Sequence, residues 1–143
     1  MNIADRTPLL LRLAGVAALA GVLYSHIVGV STAFGDAFWI GAGYTAIVVG
    51  CLVCAVALVM PSPTEQRRGW LFGGLIAVAA LTAYGLTRTT GLPNATHDKG
   101  NWGEKVAVWS TIAEGSMIIL AAYALLSHHG HGPDTAEQVD GRP

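Results

Sequence analysis

The chain has 143 residues, of which 52% are hydrophobic and only 12% charged, and its mean hydropathy is +0.50. That composition points away from a water-soluble domain and toward a polytopic membrane protein whose medium is the lipid bilayer. A net charge of -1 with thinly spread Lys and Arg offers no basic field, which argues against a nucleic-acid partner.

Four apolar runs reach the roughly 20 residues that cross a hydrocarbon core of about 30 Å. They predict an all-α, four-transmembrane-helix bundle within residues 1–127, with spans at about 8–28, 39–60, 70–88 and 106–126. Residues 128–143 read as a polar tail of disordered composition.

In the first span Pro8 suits an opening helical turn behind Thr7. Arg6, the apolar stretch and Ala18-Leu19-Ala20 also mimic a cleaved signal peptide. The apolar run continues to Val30, however, longer than a signal core of about 7–15 residues, so a retained span is expected. Ala14, Ala18, Gly21 and Ser25 form a small-residue stripe that lets a neighbouring backbone approach, as packing in lipid requires.

Gly43 and Gly50 repeat that seam on the second span, and Gly73, Ala77, Ala80 and Tyr84 on the third, which predicts a tightly packed bundle with little central void. Cys51 and Cys54 form a C-x-x-C in mid-span, where neither water nor further ligands support redox or zinc chemistry, so they read as small core residues. Pro61 and Pro63 stop the second helix, and Gly91 with Pro93 ends the third.

Orientation follows the arginines. Arg6, Arg12, Arg67 and Arg68 lie on one side, whereas the first connection, 29–38, has no Lys or Arg. Lys99 and Lys105 in the other connection are balanced by Asp98 and Glu104. Both termini are therefore expected in the cytoplasm of a cell whose inner membrane holds the protein. Trp39, Trp102 and Trp109 then fall near the outer interface and Trp70 near the inner one.

Glu114 is the anomaly, an acid inside the fourth apolar run, where an ionised carboxylate needs a partner or water. It shares a depth zone with His26 and Arg88. Ser110, Thr111 and Glu114 occupy one helical face, and Tyr84 and Arg88 lie one turn apart, so both polar faces should turn inward. An Arg88–Glu114 ion pair fixing helix register is the first structural expectation. The alternative has His26 and Glu114, with His97 or Asp98, binding a cation or relaying protons. A heme held by His26 lacks a second axial ligand at matching depth, and no cofactor is predicted. His128, His129 and His131 have the composition of a metal-binding tract, with a solvated helix end as the plainer reading.

The run RTTGLPNATHDKGNWGEKVAVWSTIAEG resembles a motif of small uncharacterised four-span membrane proteins of actinobacteria, an R-T-x-G-L-P turn followed by D-x-G-N-W-x-E and then E-G. Arg88, Thr89, Gly91, Leu92 and Pro93 match its first part. Asp98, Gly100, Asn101, Trp102 and Glu104 match its second part, and Ser110, Glu114 and Gly115 its third. Lys105 and Val106 replace the Pro-Leu that the pattern carries after its acid. The resemblance implies topology and no activity. Physically, Gly91, Pro93, Gly100 and Asn101 turn the chain, Trp102 anchors it at the interface, and Glu104 suits the dipole of the fourth helix. Asn94-Ala95-Thr96 matches a glycosylation sequon, expected to be a chance occurrence in a chain that resembles bacterial proteins.

With no nucleophile, phosphate loop or cofactor fingerprint, the expected function is non-enzymatic: a homo-oligomer or an accessory component of a larger membrane complex. A small transporter or a metal- or proton-handling protein using the His26, Arg88 and Glu114 cluster is the alternative.

Overall fold

The computed structural model describes residues 7–93 and 96–127, and of His97 only the backbone. Four helices follow one another: α1 (Leu9–Asp36), α2 (Phe38–Val59), α3 (Pro63–Thr89) and α4 (Lys105–Ser127), with a short 3-10 turn at Thr96–Asp98 before α4. Each is long and apolar enough to cross a membrane. Sequential helices pack side by side and α4 closes on α1, leaving α1 and α3 on the diagonal of an up-down-up-down bundle. His128, His129, His131 and Asn94 of the sequon lie outside the described residues.

Two boundaries differ from the sequence expectation, each for a local reason. The connection predicted at residues 29–38 is mostly helix: α1 runs on to Asp36 and joins α2 through Ala37 alone, an extended residue whose N–H bonds the Ala33 carbonyl at 3.1 Å. Packing on α2 extends the helix there, because Gly29 leaves room for the Tyr44 ring and Gly41 receives the Phe34 ring. Helix α3 starts at Pro63 and so takes in the stretch read as a charged loop. The Ser62 side chain accepts from the Glu65 N–H at 3.5 Å and Pro63 sits in the first turn, where its missing N–H costs nothing.

At this end of the bundle the last carbonyls of α2 would be orphaned without outside donors. Arg12 Nε donates to Leu58 O at 2.7 Å and Nη2 to Val59 O at 3.2 Å, while Gln66 Nε2 donates to Met60 O at 2.8 Å. Arg12 thus ties α1 to α2.

Leu19, Val22, Cys51, Leu58, Trp70 and Met117 form the sealed half of the core. Trp70, expected in an interfacial belt, is only 1% exposed and lies over Gly15. Trp39, Trp102 and Trp109 are exposed as the belt reading requires. The small-residue stripes hold in part. A Cβ on Gly21 would meet Ala113 at 2.9 Å and one on Gly50 would meet Ile76 at 2.6 Å, but Ala14 is exposed and Gly43 has nothing within 4 Å. Large apolar side chains such as Leu10, Val53, Phe72 and Ile119 point outward, while Ser25, His26, Gln66, Arg88, Ser110 and Glu114 are buried. This reverses the usual inside-outside order of a water-soluble bundle.

Candidate functional site

The end of the bundle that carries the α1–α2 joint and the α3–α4 connection is not closely packed. It holds a cavity of about 420 Å³ reached by residues from all four helices, which corrects the expectation of little central void. Gly43 lines this space instead of a helix seam. Beneath Ser25 and Glu114 the core closes, with Val22 and Met117 fully buried. The lining reaches no deeper into the bundle than Ser25 on α1 and Glu114 on α4.

Its inner wall carries a hydrogen-bonded chain from α1 to α4. Ser110 Oγ donates to Glu114 Oε1 at 2.8 Å, and Ser25 Oγ lies 2.8 Å from Ser110 Oγ. Ser25 Oγ also lies 2.8 Å from Val22 O, which can take its single hydrogen, so either hydroxyl can be the donor between Ser25 and Ser110. His26 Nδ1 lies 2.8 Å from Val22 O and 3.4 Å from Ser25 Oγ. A carbonyl only accepts, so Nδ1 carries the hydrogen and Nε2 is the acceptor of the neutral ring. The His26 ring packs on Tyr44 with centroids 4.8 Å apart. Glu114 is 2% exposed, and its second oxygen, Oε2, has no hydrogen-bond partner among the described residues.

The outer wall is organised by Arg88, and not by an Arg88–Glu114 pair. Arg88 Nη1 meets Asp98 Oδ1 at 2.7 Å and donates to Asp98 O at 3.1 Å, while Nη2 meets Glu104 Oε2 at 2.7 Å. The guanidinium also lies 5.2 Å from the centroid of the Tyr84 ring, a cation–π distance. The connection can reach Arg88 because it folds back on α3. Gly91 (φ 76) lets its own N–H and that of Thr90 close on Leu86 O, and Gly100 (φ 81) donates to Arg88 O at 2.9 Å. Asn101 N–H then bonds Asp98 O, and Trp102 meets Tyr84 edge-on with its carbonyl accepting from the Tyr84 hydroxyl at 3.3 Å. Glu104, expected to serve the dipole of α4, directs its carboxylate to Arg88.

The cavity brings together His26, Tyr84, Arg88, Ser110, Thr111 and Glu114, all six of the expected polar cluster. Thr111 contributes least, because its hydroxyl returns to Ala107 O on its own helix. Of the loop motif, Leu92, Asp98 and Glu104 reach the cavity, whereas Pro93, Gly100, Asn101 and Trp102 shape the connection. Tyr44 was missed, and the available signal was a tyrosine following Gly41 and Gly43 at the depth of His26. Asp36, which the extension of α1 carries to the rim, was missed as well. Among the described residues no three His, Cys, Asp or Glu side chains converge as the ligands of a metal ion would.

Among the described lining residues Asp36, Asp98, Glu104 and Glu114 carry carboxyls and Arg88 a guanidinium. Comparisons of this chain with protein-family models, with curated proteins and with solved structures find no match.

Proposed function

We propose that this is a non-enzymatic integral membrane protein, inserted with both termini cytoplasmic, that captures a small cation in this cavity from the outer face. The observation that carries the reading is Glu114, buried on the cavity wall with one carboxyl oxygen, Oε2, that no described residue serves. Leaving such a group unpaired is costly in a low-dielectric site, and a cation supplies what is missing. Closure of the core below Glu114 favours capture over conduction. A role purely in assembly requires only an outer surface, and apolar helix faces match hydrocarbon as well as they match a partner; it gives the cavity nothing to do.

Capture is tested by thermal unfolding of the purified protein in phosphatidylcholine nanodiscs with ammonium, methylammonium, sodium and potassium chlorides. At least one cation should raise the midpoint progressively with concentration, as binding to the folded state requires. Glu114→Gln, which keeps an acceptor for Ser110, should retain the fold and lose the shift. No shift with any cation, or an equal shift in the variant, overturns the reading.

Insertion is tested separately. Cys51 and Cys54 are 1% and 4% exposed, so cysteines introduced at the exposed positions Lys99 and Thr64 report against a quiet background. An impermeant maleimide should label Lys99→Cys in intact cells and Thr64→Cys only after lysis. The opposite pattern would place the cavity on the cytoplasmic side.

A further inference from the structure

We infer that the cation held in this cavity is a protonated primary amine bearing a compact apolar body, its ammonium placed between Glu114 Oε2 and His26 Nε2. The inference rests on the cation-capture reading and narrows its ligand class.

Size is the first argument. A bare ion needs little more than the ~30 Å³ share of one water, whereas about 420 Å³ falls in the range of small organic ligands. The donor set is the second. Hard inorganic cations ask for six to eight oxygens, and no cluster of three His, Cys, Asp or Glu side chains exists among the described residues. The nearby Val22 carbonyl is already taken by Ser25 and His26.

What the inner wall lacks is N–H donors. Glu114 Oε2 has no partner, and no described residue donates to His26 Nε2, whose ring lines the cavity with Nδ1 committed to Val22. An ammonium brings three donors on one centre and can serve both acceptors, with the Tyr44 hydroxyl available as a third. A quaternary ammonium brings none. Elsewhere on a wall that also carries Thr32 and Thr87, Trp39, Ile40, Ile47, Ala80 and the ring of Tyr44 offer contact to a hydrocarbon body and a π face to its charge. Arg88 does not oppose the ligand, because Asp98 and Glu104 already hold its charge.

Isothermal titration into protein in phosphatidylcholine nanodiscs, corrected with empty discs, tests this with phenethylamine, its N,N,N-trimethyl form, ethylbenzene-derived neutral 2-phenylethanol, ammonium and potassium. Phenethylamine should bind about a hundredfold more tightly than ammonium, from burial of its apolar body. The trimethyl form and 2-phenylethanol should each lose about tenfold or more, from missing donors and missing charge respectively. Ammonium or potassium binding as tightly as phenethylamine overturns this inference and leaves cation capture standing, as does equal binding of the trimethyl form. Binding of 2-phenylethanol as tight as the amine, or of no cation at all, overturns both.

Discussion

Removing the two acids from Arg88 should destabilise the protein more than removing the arginine. The asymmetry comes from burial, since the Arg88 side chain is 5% exposed while those of Asp98 and Glu104 are 28% and 50% exposed. In Arg88→Met the two carboxylates recover water where they stand, and the loss is about 1–2 kcal/mol, near that of a partly exposed pair. In Asp98→Asn with Glu104→Gln a buried guanidinium keeps its charge and loses both counter-charges, a situation that costs about 3–5 kcal/mol. Neutral amide oxygens still accept from it, so the lower end of that range is expected. The triple variant, with Met at Arg88 as well, should be more stable than the acid double variant. Denaturant or thermal unfolding in detergent measures all three, and the reverse order would mean that Arg88 is solvated in the membrane-bound protein.

The other large effect belongs to the opposite end of the bundle. A Cβ on Gly15 would lie 2.5 Å from Trp70 Cη2 and 3.0 Å from Leu58 Cδ1, with the indole 1% exposed and unable to swing aside. Gly15→Leu should therefore separate α1 from α2 and α3 and cost about 3 kcal/mol or more, beyond ordinary overpacking of 1–3 kcal/mol. The helix-propensity gain on replacing glycine, about 1 kcal/mol or less, does not offset it. Trp70→Ala alone should lose about 3–5 kcal/mol by leaving a cavity. Combined, the two changes should be far from additive, because leucine occupies the space the indole leaves. Additive losses would show that the two residues do not share that space.

The four long apolar helices were legible because length and apolarity mark a helix able to cross hydrocarbon, and Ser110, Glu114, Tyr84 and Arg88 were legible as inward-facing because helical period places them on common faces. The extension of α1 to Asp36 was not, since Gly29, Ser31, Thr32 and Gly35 are weak helix formers held helical there by tertiary packing, with Phe34 set against Gly41. The start of α3 was legible in Ser62, Pro63 and Glu65, yet the arginines after them invited a loop reading. The partners of Arg88 depend on a connection folding back through two positive-φ glycines, and helical period carries no information about that. The cavity itself left no sequence signal beyond Tyr44 after Gly41 and Gly43, because a void is a property of how four helices splay.

The Ala37 joint bears on how the chain enters the bilayer. With a single residue between α1 and α2, the pair can partition as one helical hairpin, and in the proposed orientation Asp36 is the one Asp, Glu, Lys or Arg near the tip that must be carried across. The connection between α3 and α4 has to deliver Asp98, Lys99 and Glu104 to the same side, a larger desolvation barrier for the translocation machinery. Biogenesis would then proceed in two unequal steps, an easy first hairpin providing the surface on which a costly second one docks and neutralises its charges.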